Sequence, residues 1–450
     1  MNRRTFIGRT ASLIASLFLK PNLTFASGDA GNGKRIIALN LIGGWDGHGT
    51  IAYGTNPNGD LFRSTLRPDL YPSLDDLLLL TGEQVGIHSA FRDLQETEAN
   101  GKIKLILNAG IMQTNPGASH SHSQKIWEKG DIAINKDGSV GWIGKSMDVF
   151  GLKTGQVFGI GSGSKLSFNR NESDGESIII TEALSTYLKK PIDFGDFTIH
   201  DCDSSVHSCD DLKSTWGDDN LYKEEIKDRL KALRNKTGVA KKYDESLRLA
   251  DQNVSLVQSM SDVETVGNYL REGSTVDTRF ARHCKDTARI IKFSKTDENL
   301  SGKSQIIYLQ RGGWDNHSNY NNVYVNNLID INAGLRGLIQ DLKAMGEWEN
   351  TAIVAFSEFG RTIKQNGVPG NETAGLDHGY ANNLMVLGGA VSGGVTGDLN
   401  TATQLQEGNN RFVPVVDCRR IFSELLTWAG YDATQVFDPL VDTKPIGLFS

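Results

Sequence analysis

Gly43-Gly44-Trp45-Asp46-Gly47-His48 and Gly312-Gly313-Trp314-Asp315-Asn316-His317 are nearly the same hexapeptide, placed far apart in one chain. Each closely follows an apolar run. A third acid, in Ser357-Glu358-Phe359-Gly360-Arg361, ends another apolar run, and Leu376-Asp377-His378-Gly379 puts an acid–imidazole pair just before the next. Carboxylates supply hard oxygen donors and neutral imidazoles supply nitrogen. Asp46, Asp315, His317, Glu358 and His378 together therefore have the composition of a divalent metal site, suited to zinc, manganese or calcium/magnesium-type ions. Taken singly, an Asp-His-Gly is as readily an ordinary turn, and a Gly-Gly-Trp-Asp a strand-end turn with a capping acid. The repetition favours a site.

Ser119-His120-Ser121-His122-Ser123 opens a helical pattern that runs through Glu128. A serine there is either a helix cap or a nucleophile, whose pKa metal coordination would lower and whose anionic substrate the helix N-terminus would help to hold. His120 and His122 lie two apart and do not share a helix face, so neither is explained as a core residue. Both are candidate ligands. Arg361, just past its apolar run, reads as a clamp for an anionic oxygen or as an ordinary surface salt bridge.

These residues need strands to present them. Lys34–Ile42, Ile103–Ile111, Ser304–Gln310, Thr351–Phe356 and Leu384–Leu387 read as strands, and Tyr324–Met345 and Cys418–Ala429 as helices. Alternation of this kind predicts an α/β fold with a mostly parallel central sheet flanked by helices, where ligands bind beyond the carboxyl ends of strands. Between Tyr222 and Lys295 the composition turns to charged residues with scattered aliphatics. That predicts a helical excursion over about 220–297 within a single domain spanning 28–450.

The 450 residues carry a net charge of −7, with no basic footprint for nucleic acid. Arg3-Arg4-Thr5-Phe6-Ile7, the apolar stretch Ala11–Leu19 and a small-residue site near Ala26 have the form of a twin-arginine signal peptide over residues 1–27, too short for a stable membrane span. A periplasmic or extracellular destination follows. Cys202 and Cys209 flank a polar loop and could form a local disulfide, or a metal knuckle with His200 and His207. Cys284 and Cys418 sit in helical contexts as buried apolar residues.

The segments containing Asp315, Glu358 and His378, with the Ser-His-Ser-His cluster and the twin-arginine signal, resemble the bacterial family called domain of unknown function 1501. That family is grouped with the alkaline phosphatase-like superfamily, which includes sulfatases, phosphodiesterases and cofactor-independent phosphoglycerate mutases. The resemblance implies an alkaline phosphatase-like fold and a metal site, often of two ions, beside a Ser, Thr or formylglycine nucleophile. It implies Asp46 as ligand of one metal near the nucleophile, Ser121 as that nucleophile, and Asp315 and His317 as ligands of the second metal. It places Glu358 where relatives carry the Asp of an Asp-His-Gly motif, and His378 at their downstream histidine ligand. Phe359 departs from the pattern by replacing a histidine, so His120, His122 or His48 would have to stand in, since a benzyl ring offers no lone pair.

The expectation is an exported metal-dependent hydrolase of phosphate or sulfate esters, acting on an anionic small-molecule or glycan ester. The alternative is a non-catalytic binding or assembly protein that keeps the fold with an incomplete metal site.

Overall fold

The strands are the apolar runs, and their burial explains them. In a computed structural model of the chain, every residue of β1 (Arg35–Asn40) is buried, as on a strand covered on both faces. The structure describes residues 32–79, 84–95, 101–112, 119–130, 140–161, 178–180, 259–370, 373–398 and 410–437, with a few shorter stretches. The remaining strands are β2 (Ile51–Tyr53), β3 (Leu77–Leu79), β4 (Val85–His88), β5 (Ile103–Gly110), β6 (Val157–Ile160), β7 (Ile178–Ile180), β8 (Gln305–Gln310), β9 (Thr351–Phe356), β10 (Asn382–Gly388), β11 (Gly394–Thr396) and β12 (Val416–Asp417).

The main sheet has the order β11-β5-β10-β9-β1-β8-β6-β7, with β12 also paired to β5, while β2, β4 and β3 form a small antiparallel sheet. In the main sheet β10 alone among the described strands runs antiparallel, against both β5 and β9. β1 lies parallel between β8 and β9, with Asn40 opposite Gln310 on one side and Phe356 on the other. The chain segments that leave β1, β8 and β9 therefore emerge side by side, and they are the segments carrying Asp46, Asp315 and Glu358.

The longer helices are α1 (His120–Lys129), α2 (Trp142–Phe150), α3 (Arg279–Thr296), α4 (Tyr320–Ala344) and α5 (Cys418–Trp428). Trp127 of α1 stacks on Phe356 of β9 at 5.4 Å, and Phe422 of α5 meets Phe356, Trp127 and Trp142. Gly334 of α4 presses on Phe280 and Cys284 of α3, where a side chain would clash. α4 begins four residues before the expected Tyr324, because Asn319 in the left-handed region turns the chain into the helix without any apolar periodicity to announce it. Cys284 and Cys418 are buried free thiols, as expected.

The chain divides into two compact units. Residues 26–183 and 263–450 form the unit described above, and residues 1–25 with 184–262 form the other, of which only a few residues from 256 onward are described. The signal segment, Cys202, Cys209, His200, His207 and residues 220–255 of the expected helical excursion lie outside the described residues, while its end is the helix α3. Among the described residues no helix is long and apolar enough to cross a membrane.

Candidate metal centre

The two hexapeptides lie against each other. Gly43 and Gly44 both take positive φ, 111° and 69°, which glycine adopts without strain. A β-carbon on Gly43 would come within 3.0 Å of the Asp315 backbone nitrogen, and one on Gly44 would strike the Phe359 ring. Arg361 locks the junction. Its buried guanidinium donates to the carbonyls of Gly43, Gly44, Trp314 and Leu376, and to Asp315 Oδ1 at 3.0 Å. The structure thus finds neither a surface salt bridge nor an open clamp at Arg361, but a brace between three loops.

Asp315, half exposed, is the hub. His120 Nε2 lies 3.3 Å from its Oδ2, and His317 Nε2 and His378 Nε2 lie 3.0 and 3.1 Å from its Oδ1. His317 Nε2 and His378 Nε2 are 2.9 Å apart. His120, Asp315 and His378 each offer a donor atom within 4.8 Å of the others. Donors about 2.0–2.2 Å from one ion, at angles of about 90–109°, stand roughly 2.9–3.5 Å apart, which is the spacing of the three imidazoles from Asp315 and of His317 from His378.

Two carboxylates outside this set orient the rings. Glu358, buried at the end of β9, accepts from His120 Nδ1 at 2.8 Å and also from Gly43 N, Ser357 Oγ and Gln124 Nε2. Burial opposes its ionisation, but these bonds, led by the one from His120, hold its pKa below the usual value. An ionised carboxylate only accepts, so Nδ1 of His120 carries the proton and Nε2 faces Asp315. Asp377 does the same for His317, accepting from Nδ1 at 2.8 Å. The Nε2 lone pair of His120 would then face an Asp315 oxygen, while His378 Nε2 can donate to His317 Nε2 or to Asp315. A proton or a cation between His120 Nε2 and Asp315 relieves that contact. The Glu358 hydrogen bond raises the pKa of His120 against a smaller opposing effect of burial. Burial likewise opposes ionisation of Asp315, yet Arg361 and His378 bring its pKa down to about 2.

Phe359 forms an apolar wall beside these rings, with centroids 4.9 Å from His120 and 4.5 Å from His378. Of the three histidines expected to compensate for it, His120 reaches the cluster. His48 instead bonds Asn108 at 2.7 Å and stacks on Phe412 at 3.7 Å. His122 is two residues, roughly 200°, round the helix from His120. Ser121 is exposed in the first turn of α1, its Oγ 3.3 Å from that of Ser119.

Asp46 stands apart from the cluster. Its carboxylate is buried against Arg67, whose Nη1 lies 3.1 and 2.9 Å from the two oxygens, and it accepts from Tyr320 at 2.6 Å. The first hexapeptide thus builds an internal ion pair, while the second builds the exposed donor set. Glu358 meets His120 at the ring nitrogen that does not face Asp315. Sequence reasoning missed Arg67, Tyr320 and the orienting role of Asp377, although the adjacency of Asp377 to His378 was visible. A cleft of about 830 Å³ opens beside Tyr320 and Tyr324, but it is not lined by His120, Asp315 or His378, and its Arg92 and Arg336 are paired with Glu272 and Asp93.

Residues 228–446 match the family described as protein of unknown function (DUF1501). The resemblance read from the segments of Asp315, Glu358 and His378 holds over that stretch, while the Ser-His-Ser-His cluster and the N-terminal segment lie outside it. This DUF1501 region contains Asp315, His317, Glu358, Asp377 and His378. No curated protein matches the chain. Among solved structures it is similar to a sulfatase from Pseudoalteromonas sp., at 11% identity and a TM-score of 0.38, covering 98% of this chain and 76% of that one. It is similar also to the zinc complex of a periplasmic domain of EcEptC from Escherichia coli, at 12% identity and a TM-score of 0.32, covering 82% and 76%. A magnesium-bound mutant of TAB5 alkaline phosphatase gives 12% identity and a TM-score of 0.29, covering 90% and 99%.

Proposed function

We propose that this chain is an exported hydrolase of phosphate or sulfate esters whose centre is a divalent cation held by His120, Asp315 and His378, with His317 as the fourth donor. The single observation that supports this most is Asp315, whose two oxygens face three imidazole nitrogens at 3.0–3.3 Å while Glu358 and Asp377 fix the outer protons of two of those rings. Such a set of three nitrogens and one carboxylate suits zinc or another borderline ion. When bound there, the ion would supply Lewis acidity toward an ester oxygen and lower the pKa of a coordinated water or hydroxyl.

The chain's own residues do the remaining work. Arg361 holds the loops of Gly43, Trp314 and Leu376 in register, so the donors are positioned before any ligand arrives. Phe359 keeps one wall of the site apolar. Ser121, exposed next to His120, is the candidate nucleophile, and the N-terminus of α1 favours an anionic group nearby. The ion pair of Asp46 with Arg67 favours one metal position over two.

Metal analysis of the purified mature protein, with a panel of chromogenic phosphate and sulfate esters, tests this reading. About one equivalent of metal is expected, lost in Asp315→Ala, with ester hydrolysis lost in Ser121→Ala at unchanged metal content. A protein that takes up no zinc, manganese or magnesium would sink the proposal. Metal uptake without turnover of any ester would favour the binding or assembly alternative.

A further inference from the structure

We infer that Asp377 is a positioning residue that sets the cation affinity of the centre by fixing the ring of His317 with Nε2 turned inward. The inference rests on the metal reading above. The carboxylate is more than half exposed and takes His317 Nδ1 at 2.8 Å, with Asn366 Nδ2 bracing the same oxygen at 3.1 Å. Asp377 therefore holds the tautomer whose Nε2 lone pair faces Asp315 and His378.

The mount beneath this pair does not depend on it. Backbone bonds run from Leu376 N to Asn316 O, from Asn319 N to Thr373 O and from Tyr320 N to Ala374 O, at 3.1–3.2 Å. Gly375 lies so close to the His317 backbone that any β-carbon would collide with its carbonyl. Asp377 itself is tied through its main chain to Thr362, by Thr362 N to Asp377 O at 3.0 Å and Asp377 N to Thr362 Oγ1 at 3.2 Å. Removing the carboxylate leaves both loops pinned, leaves the Asn366 amide its bond to the His317 carbonyl, and frees the imidazole to rotate or change tautomer. His120 differs, because its partner Glu358 also anchors Gly43 and Ser357, so no substitution there isolates the orienting role.

Zinc titration in competition with a chromophoric chelator reads the effect directly, on the full mature chain. Asp377→Ala is expected to weaken zinc about 10–100-fold, the usual effect of losing a carboxylate behind a metal-bound histidine. Asp377→Glu should recover part of that loss, and the metal-free urea midpoint should match the parent in both variants. Unchanged zinc affinity in Asp377→Ala, with the parent binding normally, overturns the inference alone. A parent that binds no zinc, manganese or magnesium overturns the metal reading, and this inference with it. Weaker binding accompanied by an equal drop in metal-free stability would show a structural role and also overturn it.

Discussion

Asp46 and Asp315 occupy the same place in the same hexapeptide, yet the structure predicts opposite phenotypes for their amide variants. The Asp46 side chain is 2% exposed and that of Arg67 1%, with Nη1 to Oδ2 at 2.9 Å. Asp46→Asn leaves the guanidinium buried without its counter-charge, supported by the Ile363 and Thr362 carbonyls and one amide oxygen. Breaking a buried pair from one side costs about 3–5 kcal/mol, and because asparagine keeps one acceptor oxygen, about 3 kcal/mol is the expected loss. The Asp315 side chain is 46% exposed, and Arg361 keeps four carbonyl partners without it. Asp315→Asn should therefore change stability by less than about 1 kcal/mol while weakening metal on the order of 100-fold or more. Urea unfolding of metal-free protein measures the first quantity and chelator competition the second. The reasoning is refuted if Asp46→Asn loses metal at a wild-type urea midpoint, which would make Asp46 a ligand and its pairing with Arg67 incidental.

Arg361→Met should destabilise by at least about 3 kcal/mol, since several buried carbonyls lose their donor at about 1–3 kcal/mol each, and Arg361→Lys should not rescue it, because an ammonium cannot span a planar fork of acceptors. Full rescue by lysine, read as a restored urea midpoint, would count against the brace. Acid should weaken the metal-free fold through His48 and His283. Burial first, then Arg67 at His48 and Arg279 and Arg282 at His283, lowers each to about 4 from 6.5. A folded-state value below the unfolded one means that stability is complete above about pH 6.5 and falls as pH drops toward 4. Each histidine then contributes a loss of about 2 kcal/mol by pH 5. A urea midpoint that stays flat between pH 7 and 5, or a His283→Gln variant with an undiminished pH slope, contradicts this.

Much of the sheet was legible because strands covered on both faces must be apolar throughout. Ile36–Leu39, Ile306–Leu309 and Ala352–Phe356 could hardly read as anything else, and the glycines and acids behind them marked the ends. The direction of β10 was not legible. Asn382–Gly388 looks like any buried strand, and its antiparallel pairing with β5 and β9 depends on the path of the chain between Arg361 and Ala381, which no periodicity encodes. The early start of α4 escaped for a similar reason, since Tyr320 and Tyr324 face the Asp46 carboxylate and carbonyl rather than an aliphatic core.

The donor set was legible as a list but not as a geometry. Residue type and strand-end position singled out Asp315, His317 and His378, and the gap left by Phe359 pointed to His120, His122 or His48, of which His120 reaches the cluster. What separates a ligand from a structural acid is the partner that tertiary packing brings to it. Asp46 receives Arg67 from the end of a short helical segment over residues 57–66, with no motif around it, and becomes half of a buried ion pair whose two charges satisfy each other. Asp315 receives three imidazoles and one edge of a guanidinium already bound to carbonyls, and it keeps nearly half of its side chain exposed. A repeated hexapeptide thus offers the same carboxylate twice. The fold buries one of them against an arginine and leaves the other half exposed among three imidazoles, and the proposed cation belongs to the second arrangement.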